Sequence, residues 1–258
     1  MPFSPDPGVL ASMGLFKGLD HEALGDVVRR ARTRRVAKGT RIFSQGDEAL
    51  TCYALIDGRV KIVQSGPGGE HLVVRFINPG EMFGTLAVYT GGGYPADADA
   101  VTDCVEISWP ASVMTELMLR YPQIGINMIR IIGRRLREVQ NRLREAASER
   151  VERRIARALM RLLRHGGRRT EAGIEIDFPL SRQDLAEMTG TTLHTVSRTL
   201  SAWEERGLVE LGRQHVVIRN PHAVTAIAED LPGAGTGQDS QPAPGLLPDK
   251  DSGPSRSE

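Results

Sequence analysis

Cysteine is nearly absent. Two thiols in 258 residues, Cys52 and Cys104, give neither a disulfide framework nor a thiolate metal cluster. They suit a reducing compartment. No stretch approaches the ~18 consecutive apolar residues of a membrane helix. The opening MPFSPDPGVLASMGLF carries no early positive charge and no long apolar segment. No secretory leader is therefore expected, and the expectation is a cytoplasmic protein away from membranes. The phosphate loop GxxxxGK[ST], the HExxH zinc helix and the nucleophile elbow are all missing, so an enzyme is not expected. Asp97, Asp99 and Asp103 form an acidic cluster in an expected loop-strand, with no ligand set completed around them. They read as solvated surface, and no metal site is expected.

The composition is otherwise ordinary for a globular chain, with 40% hydrophobic and 25% charged residues. The length accommodates two small cores. The net charge of +1 hides an uneven distribution. Residues 130–220 hold 19 Arg against 12 acidic residues, whereas 1–129 and 221–258 are both slightly acidic. A basic block of this kind suits either a polyanion or a solvated arginine-rich helix surface.

Local patterns divide the chain. Residues 1–12 are rich in Pro, Gly and Ser and read as a flexible N-terminus. Asp20 suits the N-cap of a short helix with Leu24, Val27 and Val28 on one face. Short strand-like runs follow: 41–43, 52–56, 59–63, 72–77 and 104–107, separated by glycines. Asp57-Gly58 between two apolar runs predicts a tight hairpin. Residues 13–110 thus read as a small antiparallel β-roll. Over 111–147 the period turns helical. Ile129, Ile132, Leu136, Val139 and Leu143 recur at alternating steps of three and four, the seam of a coiled coil. A helix this long cannot bury that stripe on a small roll alone, so a homodimer is expected. Residues 150–165 predict another helix, Ile174–Leu180 a strand, and 208–218 a hairpin turning at Gly212-Arg213. The segment 231–258 is rich in Gly, Pro and Ser and predicts a disordered tail.

The most informative segment is LSRQDLAEMTGTTLHTVSRTLSAWEERG, residues 180–207. Ser181 suits an N-cap, with Leu185, Ala186 and Met188 on the helix that follows. Gly190 permits a sharp turn, and the small Ala186 lets a second helix approach closely. That second helix starts near Thr192 and turns Val196, Leu200 and Trp203 inward. Gly207 should stop it. The outward residues suit duplex DNA. Arg198 can form a bidentate pair with a guanine, and His194 and Ser197 can reach neighbouring base edges. Arg182, Gln183, Thr192 and Thr195 suit phosphate oxygens, which set register. With the hairpin behind it, the unit over 148–224 reads as a winged helix-turn-helix, in an α+β chain overall.

These motifs resemble the Crp–Fnr superfamily of bacterial transcription regulators, from about Leu15 to Val224. GTRIFSQGDEA (39–49) and NPGEMFGTLA (78–87) resemble its cyclic-nucleotide-binding-type domain, and LSRQDLAEMTGTTLHTVSR resembles its helix-turn-helix. The resemblance implies dimers on two-fold-symmetric operators and contact with RNA polymerase. Thr195-Val196-Ser197-Arg198 is similar to the reading element of the Fnr-like branch, which implies a TTG-type half-site. His194 stands where that branch has glutamate, which leaves the outermost base preference open. The resemblance also places an effector pocket at Gly80, Glu81, Phe83, Gly84, Thr85 and Leu86.

The signal departs from the cyclic AMP branch. Thr85 stands where a glutamate should bond the ribose, and Pro95-Ala96 stand where Arg-Ser should hold the cyclic phosphate. A buried phosphate without a counter-ion is costly, so cyclic AMP is not expected. An iron–sulfur cluster needs four thiolates and is not expected either. YPADADAVTDC (94–104) resembles the nitrogen-oxide-responsive branch, some of whose members use haem. That resemblance makes haem a candidate, with His21 or His71 as ligand. Two alternatives stay open: a constitutive regulator without a ligand, and a winged-helix adaptor that binds protein rather than DNA.

Overall fold

The computed structural model describes residues 7–231. The chain opens on helix α1 (Pro7–Ser12), followed by α2 (His21–Arg29). Asp20 caps α2 by accepting from the Ala23 amide at 2.8 Å. The N-terminus from Pro7 is thus ordered, against the expectation of a loose 1–12. Leu10 and Met13 are fully buried, and that burial holds the segment down. Residues 1–6 lie outside the described residues.

Eight strands build the roll: β1 (Arg32–Val36), β2 (Arg41–Phe43), β3 (Thr51–Asp57), β4 (Val60–Ser65), β5 (His71–Ile77), β6 (Met82–Phe83), β7 (Asp97–Ala100) and β8 (Cys104–Pro110). The short helix α3 (Thr85–Thr90) sits between β6 and β7. Two antiparallel sheets form, ordered β1-β8-β3-β6 and β2-β7-β4-β5. Alternation along β3 separates two cores. Cys52 and Ala54 pack with the flanking helices, while Tyr53 and Leu55 join the roll interior. Trp109 ties the layers together, since its Nε1–H donates to the Val27 carbonyl at 2.9 Å.

Two expectations for the roll fail. Asp57-Gly58 does not close a hairpin. β3 and β4 belong to different sheets, so the dipeptide is the corner where the chain changes sheet. Gly58 is required there, with φ +91° and a Cβ position that would collide with the Asp103 carbonyl. Nor is Asp97 solvated. It is buried, accepts from the Gln45 amide at 2.7 Å and pairs with Arg41 at 3.1 Å. Asp99 pairs with the same arginine at 2.8 Å. The DADA run is strand β7, whose Ala98 and Ala100 face inward.

Residues 111–147 form two helices rather than one. α4 (Ala111–Arg120) ends at Tyr121, and Pro122 starts α5 (Pro122–Ser148). Proline fits a first helical turn but breaks a helix interior, which explains the division. Along α5, Ile129, Leu136, Val139 and Leu143 are exposed. Ile132 is half-buried against the helices around the roll.

The C-terminal unit comprises α6 (Val151–Gly166), β9 (Gly167–Thr170), β10 (Gly173–Ile176), α7 (Arg182–Thr189), α8 (Leu193–Glu205), β11 (Val209–Gly212), β12 (His215–Ile218) and α9 (Pro221–Glu229). Its sheet runs β11-β12-β10-β9. The strand expected over 174–180 stops at Ile176. Beyond it Asp177 turns out to Arg59 and Pro179 removes a donor. Gly212 pairs with His215, so the wing turns at Arg213-Gln214 instead of Gly212-Arg213. α9 was not foreseen and carries the unit beyond residue 224, burying Val224, Ile227 and Ala228. The tail expected from 231 lies outside the described residues from 232 onward.

Both cysteines are buried. Burial pushes the Cys52 thiol up to about 12 and raises Cys104 as well. The thiolate is the reactive form, so both thiols should ignore Ellman's reagent at pH 8 until denaturant is added. Rapid labelling of either in the native protein would contradict the packing.

Candidate nucleic-acid interface

Local chemistry sets the angle between α7 and α8. Ser181 and Asp184 form a reciprocal capping box at 3.0 Å in each direction. Such a box satisfies two donors that a helix start leaves free. Leu185 and Ala186 are buried beneath α7. Gly190 adopts the left-handed conformation, φ 60° and ψ 45°. The turn then returns the Thr191 amide to the Ala186 carbonyl at 3.0 Å. Thr192 caps α8 through the Thr195 amide at 3.2 Å, and the two hydroxyls lie 2.9 Å apart.

Val196, Leu200 and Trp203 are all but fully buried at steps of four and three along α8. The Trp203 Nε1–H donates to Glu152 of α6 at 2.8 Å. At the far end, Gly207 (φ 67°) stops the helix, and the Leu208 amide returns to the Trp203 carbonyl at 2.9 Å. Glu204 then accepts from the Leu211 amide at 2.9 Å, which fastens the wing to α8.

The inward set leaves an outward one. His194 and Arg198, four residues apart, are exposed, and Ser197 is half-exposed between them. Arg182 and Gln183 are exposed at the start of α7, Thr192 at the start of α8, and Thr195 is half-exposed. The Gln183 amide donates to Glu187 at 2.8 Å. Among the described residues Arg198, Arg182 and the wing-tip Arg213 form no ion pair. These cations therefore present their full charge to solvent. All the expected DNA-facing residues thus lie on or beside one helix-turn-helix face.

Sequence reasoning missed Arg154. From α6 it donates to the Thr189 carbonyl at 3.1 Å and to that of Gly190 at 3.4 Å. It satisfies the free carbonyls at the end of α7 and carries the charge that a helix C-terminus favours. Its helical spacing in a run of arginines gives no hint of this role.

The winged unit rests on the roll. Val63, Val73 and Phe76 share one core with Ile176, Leu180 and Leu185. Phe76 and Phe178 lie 4.9 Å apart, centre to centre. Arg59 pairs with Asp177 at 2.9 Å, and Lys61 with Asp184 at 2.7 Å. Lys61 thus touches the same carboxylate that caps α7.

The expected effector residues are split. Gly80 and Glu81 line a cleft between the roll and the helices. Phe83 and Thr85 are buried, and the Thr85 hydroxyl donates to the Phe83 carbonyl at 3.3 Å. Gly84 is crowded by the rings of Tyr53, Tyr94 and Phe43, and Leu86 is exposed.

Comparison with known proteins covers both halves. Residues 33–121 match the family model described as cyclic nucleotide-binding domain, and residues 153–227 match that described as Crp-like helix-turn-helix domain. The chain is 31% identical over 217 residues to the cyclic AMP receptor protein of Thermus thermophilus, covering 84% of this chain and 97% of that protein. It is 28% identical over 209 residues to the transcriptional activator protein FnrA of Stutzerimonas stutzeri, covering 81% and 84%. Among solved structures, a CRP-family transcriptional regulator from Thermus thermophilus is similar at a TM-score of 0.65 and 27% identity, over 76% of this chain and 96% of that one.

Proposed function

The chain belongs to the Crp–Fnr family of transcription regulators, and on that premise we propose that it binds two-fold-symmetric, TTG-type operators as a homodimer. Its relatives are regulators of transcription, not enzymes. The observation that carries the reading is Arg198, exposed and without an ion pair among the described residues, beside His194 and Ser197 on α8. In this reading those three residues touch base edges, and Arg182, Gln183, Thr192 and Thr195 hold the backbone. The roll over 13–110 senses, the helical segment 111–147 dimerises, and the unit from 148 onward reads DNA. RNA polymerase at a promoter is the protein partner, which places the work in the cytoplasm. No helix among the described residues is long and apolar enough to cross a membrane.

The ligand expected of a cyclic AMP receptor does not fit the roll. Phe43 and Tyr94 stack at 3.9 Å, and Tyr53 and Phe83 at 5.2 Å, around Gly84. Pro95 offers no donor, and the neighbouring buried charge is the Asp97 carboxylate. The nearby Arg41 is engaged by Asp97 and Asp99. A cyclic phosphate would meet an anion there without a free cation.

Haem fits no better. His21 and His71 are both exposed, and His71 is hydrogen-bonded to Ser65 at 3.0 Å. Neither lines a described cavity. A haem-borne nitric oxide signal therefore has no support in these residues.

The test is fluorescence anisotropy on a duplex carrying an inverted repeat of TTG, against a scrambled duplex. Preference for the repeat by at least ~10³-fold is expected at physiological salt. Affinity for both duplexes should fall steeply as salt rises, and cyclic AMP should leave the preference unchanged. Absence of salt-dependent binding to either duplex would instead favour a protein-binding adaptor.

A further inference from the structure

A cleft of about 580 Å³ separates the roll from α5, α6 and α9. Its size falls in the range of small-molecule sites. None of residues 83–97 lines it, so it is distinct from the closed interior of the roll. Arginine dominates its wall, with seven guanidinium groups against four glutamates.

The pairing of these charges is incomplete. Arg75 meets Glu81 at 2.9 Å, and Arg161 meets Glu145 at 2.8 Å. Arg135 and Arg142, both partly buried, form no ion pair among the described residues. Each instead donates to a backbone carbonyl of the roll, Arg135 to Met82 at 2.7 Å and Arg142 to Val74. The Nε groups of Arg75, Arg142 and Arg161 are buried without any acceptor among the described residues. Burial and the neighbouring Arg75 pull Arg135 down to about 10, and burial and Arg161 lower Arg142. Unpaired buried cations and unmet donors are costly. A run of guanidinium forks is also the arrangement that matches phosphate oxygens in pairs.

We propose that this cleft binds a small molecule carrying a di- or triphosphate group, held chiefly by Arg75, Arg142 and Arg161. The phosphate adds counter-charge to a wall where seven guanidinium groups face four glutamates and where Arg135 and Arg142 form no ion pair among the described residues. A duplex does not fit, because the cleft is walled by the roll on one side and by α6 and α9 on the other. The same two walls give the ligand its consequence. It bridges the sensory half and the DNA-reading half, so its binding and operator binding are linked. That consequence rests on the regulator reading; the binding itself does not.

Calorimetric titration of the full chain with pyrophosphate and with ATP, without DNA and at physiological salt, tests the proposal. Saturable binding is expected for at least one of the two. The double variant Arg142→Gln/Arg161→Gln should weaken it at least about tenfold. Arg142→Gln alone should keep a cooperative thermal melt and also weaken binding, which separates loss of the site from loss of the fold. Arg198→Ala should bind as tightly as the parent. The proposal is overturned if neither probe saturates, or if the double variant binds like the parent. Loss of binding in Arg198→Ala would also overturn it, by placing the anion on the DNA-facing surface.

Discussion

Arg198→Ala is expected to weaken operator recognition steeply and leave the protein folded. A bidentate arginine–guanine pair contributes ~1–3 kcal/mol of discrimination. A symmetric dimer makes the contact twice, so the loss doubles to ~2–6 kcal/mol, or roughly thirtyfold to ten-thousandfold in affinity. Binding to scrambled DNA should change little, since it rests on the other cations of the face. Arg198 is exposed and unpaired, and substitution at such a surface site shifts stability by only ~0.5 kcal/mol or less. Anisotropy on both duplexes, beside a thermal melt, separates the two effects. Arg198→Lys should fall between parent and alanine variant, because it keeps the charge and loses the planar fork. Unchanged operator affinity in Arg198→Ala would remove this residue from the reading face.

How far such a site is visible in sequence depends on the range of the forces that build it. Ser181, Gly190, Thr192 and Gly207 act within a few residues of themselves, through caps and a left-handed turn. The buried triplet Val196, Leu200 and Trp203 follows from helical period alone. The helix-turn-helix was therefore legible almost residue by residue. β7 was not, because its aspartate-rich text conceals a partner, Arg41, that stands 58 residues earlier. Asp57-Gly58 misled for the same reason. A turn rule weighs the dipeptide, whereas strand β3 takes its pairing from β8, which begins at Cys104. The arginines of the cleft were hidden by their own regularity. On α5 and α6 they have the spacing of a solvated helix face, and only the return of α6 onto the roll encloses them. Local chemistry thus announced the helix-turn-helix and its outward residues, while the cleft exists only in the packed molecule.

Leu136→Glu together with Val139→Glu is expected to convert the protein to a monomer. On α5, Ile129 and Leu143 are 71% exposed, Leu136 57% and Val139 58%. Four large apolar side chains at steps of seven, three and four make one continuous stripe, the pattern that a second helix covers. Burying each contributes ~1.5–3 kcal/mol. Two substitutions remove four such side chains from a symmetric dimer, an upper bound of ~6–12 kcal/mol before like charges are set against each other. That approaches the ~12 kcal/mol of a nanomolar complex. Light scattering at micromolar concentration should therefore report the mass of a single chain. The fold should survive, because both positions face solvent within the chain and the buried face of α5 uses Ile124, Asn127 and Met128. Operator affinity should collapse as well, since a monomer holds one half-site and loses the gain from linked binding. A variant that stays dimeric would move the interface off this stripe. A monomeric variant with full operator affinity would keep the stripe and refute the two-fold operator instead, so mass and affinity together decide which of the two claims fails.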